Sequence, residues 1–325
     1  LISKLDCNIY GLDIGFYVDE NTEKTENFIN QYIQDIRNFE PSILKKIDVL
    51  IHLAAMSNDP LGELNPIITR NINFVSSINL IENAIKQNVK QIIVLSTQSI
   101  YGYSNTNIEM KEDDENKNPI TEYAKSKWEL ELALSDLKNK SHITILRPST
   151  VFGYSKRIRS DIVLNNLVIN AYINKNIIVL SDGTPWRPVI HIDDLCDCII
   201  NCIINKKYIK SGQAFNLGLN NGNYQIKDLA KAVSKIFNNM NINYTNEHSD
   251  PRSYRVSFEK YNSLFQNEKI PNRSIDHGIK ELINNFERIN FSEIYNNKSS
   301  FKRLDVLKKL IKEGKINKNL IKNDI

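Results

Sequence analysis

The sequence predicts an α/β protein built on a doubly wound parallel sheet, and three observations lead there. Two runs, Ile47–Ala55 and Gln91–Ser96, are almost continuously apolar and end in small or polar residues, the pattern of strands buried on both faces. Stretches with apolar residues at helical spacing, around Asn73–Gln87 and Glu122–Leu137, alternate with them, and such alternation implies βαβ units with right-handed crossovers. The 325 residues, 41% of them hydrophobic, suffice for one large core and a smaller lobe.

Taken in order, Asn8–Asp13 reads as a short strand ending in a carboxylate, and residues 1–5 as the tail of a preceding helix. The Ile47–Ala55 strand, the Asn73–Gln87 helix and the Gln91–Ser96 strand follow, then the Glu122–Leu137 helix and a strand at Ile143–Arg147. After Pro148 the rhythm changes to a helix near Asp161–Ile173, another strand, and a return to the sheet near Val189–Ile192. Tyr224–Phe237 has helical spacing and Asn241–Ser257 is loop-rich. At the end, Leu304, Leu307, Leu310 and Ile311 form an apolar stripe that predicts a docked helix.

Composition excludes several function classes. The net charge of +4 is spread along the chain and interrupted by acidic runs such as Glu112–Glu115, whereas a nucleic-acid binder concentrates its basic residues. Cys196, Cys198 and Cys202 form no CxxC pair and have only His191 nearby, so no metal site is expected. They read as small apolar residues of a buried helix in a reduced, cytoplasmic protein. No apolar run approaches the roughly 20 residues that span a membrane, and no signal peptide is apparent.

The sharpest chemical signal is Thr121-Glu122-Tyr123-Ala124-Lys125-Ser126-Lys127 at the start of a helix. Tyr123 and Lys127, four apart, share a face. A phenol titrates near pH 10, and a nearby ammonium favours the phenolate, bringing it closer to the range of a general base. Upstream, the strand through Ile92–Leu95 runs into Ser96-Thr97-Gln98-Ser99-Ile100-Tyr101-Gly102. Hydroxyls at the carboxyl end of a parallel strand sit where open α/β sheets bind ligands.

With these residues in view, the chain resembles the extended short-chain dehydrogenase/reductase family, in its NAD-dependent epimerase/dehydratase branch. The stretches DVLIHLAAMS, IIVLSTQSIYG, YAKSK, LRPSTVFG and RPVIHIDDL carry the resemblance, in the family's order. It implies a Rossmann-type domain over residues 1–153 with a return segment about 188–218. An α+β substrate lobe over 154–187 and 219–290, and a helical extension over 291–325, would complete the chain.

The resemblance also implies roles. Tyr123 matches the catalytic base, Lys127 the lysine that lowers its pKa and holds the nicotinamide ribose, and Thr97 the hydroxyl that bonds the reacting sugar oxygen. Asp13 matches the acidic residue for the adenosine ribose, which favours NAD over NADP because a carboxylate repels a 2′-phosphate. Asp35 and Ile36 match the pair beside adenine, Leu53, Ala54 and Ala55 the turn under the cofactor, and Ser149 to Val151 the stretch beside nicotinamide. Asn166 and Arg187 match positions near the substrate diphosphate, with Arg252 or Arg255 as a further cation suited to phosphate. His191 reads as a structural histidine.

Two departures stand out. The family's opening strand and glycine-rich turn find no counterpart, and the chain starts at Leu1. The reading is therefore a fragment lacking about 20–25 residues, the strand and turn that hold the pyrophosphate. Dehydratases of the branch carry Asp-Glu after the Ser/Thr, whereas Gln98 and Ser99 stand here, so dehydration is not expected. The expected activity is epimerisation of a nucleotide sugar by transient oxidation at C4. A net 4-dehydrogenase or 4-ketoreductase is the alternative, and a non-catalytic NAD-binding protein a third. The resemblance further implies a homodimer through a four-helix bundle made by the Asn73–Gln87 and Glu122–Leu137 helices.

Overall fold

A computed structural model of the chain describes residues 5–17, 30–245, 252–297 and 301–323. Of the helix tail expected at residues 1–5, only Leu5 falls within them, and it is not helical. Residues 246–251 of the expected loop also lie outside.

The central sheet is parallel, in the order Gln213–Leu217, His142–Pro148, Gln91–Leu95, Val49–His52. A separate parallel pair joins Tyr10–Asp13 to Asn30–Ile33. The apolar run at Gln91–Leu95 is explained by what covers each face. Ile92 and Val94 pack with Leu80, Ile81, Leu130 and Leu134 of the helices Ser77–Lys86 and Glu122–Leu137. Ile93 faces the opposite layer, with Leu195, Cys198 and Ile199 of the helix Ile192–Ile204. All three strand residues are fully buried, so neither face has room for a polar side chain. Cys198 and Cys202 are buried on that same helix and Cys196 half-buried.

The helix expected from Asn73 begins instead with a π-helical turn, Asn71–Ser76, ahead of Ser77–Lys86. The fully buried Asn73 explains the detour. Its Oδ1 accepts from Met56 N at 2.8 Å while its Nδ2 donates to Met56 O and Ser126 Oγ, each at 3.2 Å. One amide thus ties the loop after Val49–His52 to the Glu122–Leu137 helix.

The second lobe gathers the helices Val163–Asn174, Ile226–Ile236 and Ile275–Arg288 around Leu164, Leu229, Ile279 and Phe286. The strand expected to return to the main sheet near Val189 does not reach it. Trp186–His191 pairs with Thr150–Phe152 and Asn223–Gln225 in a three-stranded sheet, and Gln213–Leu217 makes the return. Alternation gives the reason: Val189 and Phe152 point into the lobe core, Ile190 into the core under the main sheet. The small sheet is the partition between two apolar layers.

The C-terminal stripe is a docked helix, Arg303–Lys312. Leu307 is fully buried, with Leu304, Leu310 and Ile311 beside it, against Met56, Leu61, Phe16 and Tyr17. Among the described residues no helix is long and apolar enough to cross a membrane.

Candidate active site

Two carboxyl-end loops of the central sheet build the site. Leaving the strand Gln91–Leu95, Thr97 takes an extended backbone and its Oγ1 accepts from Ser99 N at 3.1 Å, capping the short turn Gln98–Tyr101. Gly102 closes that turn at φ +60°, where a Cβ would collide with the Asn118 carbonyl, so only glycine fits. Thr121 caps the next helix: its Oγ1 accepts from Ala124 N at 3.2 Å and donates to the Asp59 carboxylate. Tyr123 therefore sits in the first turn, with Lys127 one turn on.

The structure brings the Thr97 and Tyr123 side chains together. Burial pushes the Tyr123 phenol up to about 12, opposed by the Thr97 hydroxyl and the Arg159 guanidinium and reinforced by the Asp59 carboxylate. Lys127 is pushed down to about 8 by burial, opposed by Glu131. Its ammonium donates to Leu95 O at 2.8 Å, and its charge joins burial in holding His52 at about 3. His52 is thus a neutral buried imidazole, 2.8 Å from Ser77 Oγ.

Beneath these groups lies a buried polar network. The Glu131 carboxylate takes Arg147 Nη2 at 2.7 Å and Nε at 3.1 Å and accepts from Ser96 Oγ. Arg147 also donates to Tyr101 OH at 3.0 Å, which reaches Asn216 Oδ1 at 2.8 Å. Gln98 belongs to this layer. Its Nε2 donates to Arg147 O at 2.9 Å and Leu217 O at 3.1 Å, and its Oε1 accepts from Ser149 Oγ at 3.1 Å.

Asp13, exposed at the end of its strand, accepts from Gly15 N at 2.6 Å. Leu53 is exposed and Ala54 and Ala55 half-buried at the end of theirs. Val151 is half-buried on the small sheet. Asp35 chelates Arg37, with Nε at 2.9 and 3.0 Å, and caps Arg37 N at 2.8 Å, while Ile36 is turned into the core.

Arg252 forms an ion pair with Asp59. The buried Arg187 donates to Trp186 O at 2.7 Å and Arg252 O at 2.5 Å. Asn166 donates to Ser160 O at 2.9 Å. Arg255 is paired with Glu109 at 2.7 Å and lies over Trp186. His191 is fully buried, its Nε2 2.9 Å from the Glu281 carboxylate, and burial holds it below the usual range.

Sequence reasoning missed Ser57, Asp59, Arg159 and Tyr254. Asp59 joins Thr121 and Arg252, and the Tyr254 ring lies 5.9 Å from the Arg187 guanidinium. The available signal was Ser57-Asn58-Asp59-Pro60 after a buried strand, a helix start at the ligand-binding edge.

The residues at hand fit a nicotinamide dinucleotide. Asp13 offers carboxylate lone pairs at a strand end, suited to ribose hydroxyls and hostile to a 2′-phosphate. Lys127 offers a buried ammonium with three donors at the Leu95 carbonyl, one helical turn from Tyr123. Fold and site together define a dinucleotide-binding α/β protein.

The chain belongs to the NAD-dependent epimerase/dehydratase family, whose model matches residues 7–218, and NAD is that family's cofactor. A UDP-glucuronate 4-epimerase from Thermodesulfobacterium geofontis is 27% identical over 284 residues, covering 85% of this chain and 84% of that protein. The bifunctional polymyxin resistance protein ArnA of Wigglesworthia glossinidia brevipalpis is 26% identical over 267 residues. That match takes in 75% of this chain, which spans only 39% of that longer protein. The fold is shared with a UDP-glucuronic acid 4-epimerase from Bacillus cereus solved with UDP-glucuronic acid and NAD (TM-score 0.74, 22% identity, 87% and 91% of the two chains). It is shared too with an NAD-dependent NDP-hexosamine 5,6-dehydratase of tunicamycin biosynthesis (TM-score 0.75, 18% identity, 86% and 90%).

Proposed function

We propose that this protein epimerises a nucleotide sugar by transient oxidation at C4. The observation that carries the reading is the meeting of the Thr97 and Tyr123 side chains at the carboxyl end of the Gln91–Leu95 strand, with Lys127 one helical turn away. NAD, when bound, supplies a hydride acceptor and donor. Tyr123 takes the proton from the sugar hydroxyl and later returns it, and Thr97 holds the same oxygen through its hydroxyl. At about 12 the phenol is protonated at neutral pH, so its base function requires positive charge brought close to it. The Arg159 guanidinium supplies part of that charge, and Lys127 is assigned a share of it from the family pattern.

Gln98 supports epimerisation over dehydration. Both ends of its amide are spent on Arg147, Leu217 and Ser149, and an amide cannot exchange the protons that water elimination requires. On the substrate side, Arg252 and Arg187 supply guanidinium groups for a diphosphate, with Asp59 holding Arg252. Asn166 is assigned to the same subsite from the family pattern. The alternative is net oxidation or reduction at C4 by the same residues. Incubation with NAD and candidate UDP- and GDP-sugars separates them: a new sugar isomer without net change in nicotinamide absorbance means epimerase, net NADH formation means dehydrogenase. Absence of both would overturn the proposal.

We also propose a homodimer through the Asn71–Lys86 and Glu122–Leu137 segments, where Val75 and Leu132 expose apolar side chains.

A further inference from the structure

We infer that the C-terminal extension completes the cofactor site, with Arg303 and Arg159 forming a guanidinium pair at Ser57 that grips the pyrophosphate of the dinucleotide. The two arginines come from distant parts of the chain and meet on one hydroxyl. Arg303 Nη1 donates to Ser57 Oγ at 2.9 Å and Arg159 Nη1 at 3.3 Å. Arg159 is held by Asp161, with Nη2 at 2.7 Å and Nε at 3.0 Å. Arg303 lies 5.0 Å over the Tyr17 ring. Like charges gathered this closely are costly, and burial together with Arg159 lowers the Arg303 pKa. An anion with several oxygens relieves that cost, because each forked guanidinium can donate twice to phosphate.

Position selects the pyrophosphate. Arg303 acts electrostatically on Asp13, the residue assigned to the adenosine ribose, and Arg159 on Tyr123, at the reacting end. The part of a dinucleotide between its ribose and its reacting ring is the pyrophosphate. Ser57 itself follows Leu53-Ala54-Ala55-Met56 from the strand Val49–His52, at the sheet edge where such ligands bind.

The extension is anchored firmly enough to hold a charge in place. Leu307, Ile316 and Leu320 are buried with Met56 and Leu61. Arg37 donates to Asn319 O at 2.6 Å and Leu320 O at 2.5 Å, and Asn65 to Lys318 O at 3.2 Å. Arg303 therefore starts its helix from a fixed platform, and little ordering is left for binding to cost.

The inference rests on the cofactor reading, not on which sugar reaction follows. Calorimetric titration of the full chain with NAD⁺, ADP, adenosine and UDP tests it. Arg303→Met, which keeps the stem's packing, should weaken NAD⁺ and ADP roughly ten- to hundredfold. Adenosine and UDP should bind as before, and Arg303→Lys should recover part of the loss. Unchanged NAD⁺ affinity in Arg303→Met would overturn the inference. So would an equal loss for adenosine, a loss confined to UDP, or an unsubstituted protein that does not bind NAD⁺. Arg303-dependent NAD⁺ binding without turnover of any sugar would instead refute the epimerase proposal alone.

Discussion

The Thr97 and Tyr123 side chains meet, one from the end of a strand and the other from the first turn of the following long helix. Because Tyr123 is buried, Tyr123→Phe should leave the fold intact and remove only the proton-transferring group. Steady-state rates should fall roughly 10²- to 10⁴-fold while the far-ultraviolet circular dichroism is unchanged. Near-normal turnover would show that the base lies elsewhere.

Lys127 predicts opposite responses of activity and stability to alkali. Its folded pKa, about 8, lies below the ordinary 10.5 because burial disfavours the charge. Between those values the unfolded chain binds more protons than the folded one, so this lysine's contribution to stability rises with pH from about 8 to 10.5. Over the same range the ammonium needed beside Tyr123 disappears, and kcat/KM should fall with an apparent pKa near 8. In Lys127→Met the rise in stability should flatten, as thermal melts across that range would read.

His52 governs the acid side. Burial and Lys127 hold it at about 3, against 6.5 in the unfolded chain. As pH falls below 6.5 only the unfolded state takes the proton, so stability is lost at up to about 1.4 kcal/mol per pH unit. Replacing His52 with Gln should make denaturation midpoints less sensitive to pH between 6.5 and 5. An unaltered slope would mean that other groups carry the acid limb.

Glu131 anchors the network under the site. Glu131→Gln leaves the Arg147 guanidinium, 4% exposed, without its carboxylate. An uncompensated buried charge costs about 3–5 kcal/mol. Urea denaturation should report that loss, and the double variant Glu131→Gln, Arg147→Met should recover much of it.

Arg252 should act on binding more than on chemistry. Arg252→Met removes the ion pair with Asp59 and a cation from the proposed diphosphate subsite. KM for the nucleotide sugar should rise about tenfold or more, with kcat changing much less. A fall in kcat at constant KM would place Arg252 at the reacting carbon instead.

Local pattern sufficed wherever one short stretch carried both the structure and its chemistry. The alternation of apolar runs and helical spacing foretold the parallel sheet, because strands covered on both faces must be apolar throughout. Tyr123 and Lys127 were legible because helical spacing alone puts them on one face. The Leu304–Ile311 stripe likewise foretold a docked helix. The strand Trp186–His191 was misplaced because its alternating residues feed two different cores, and local sequence does not say which sheet owns such a strand. Ser57, Asp59 and Arg159 went unnoticed because each gains its meaning from partners far along the chain.

From residue order alone came the sheet, the tyrosine helix and the family resemblance, since each depends on neighbours within a turn or a strand. The meeting of Arg303 with Ser57, the binding of Arg252 to Asp59 and the route of Lys127 to the Leu95 carbonyl were decided by tertiary packing. Charges find one another through space, and the spacing that brings them together is set by the core between them.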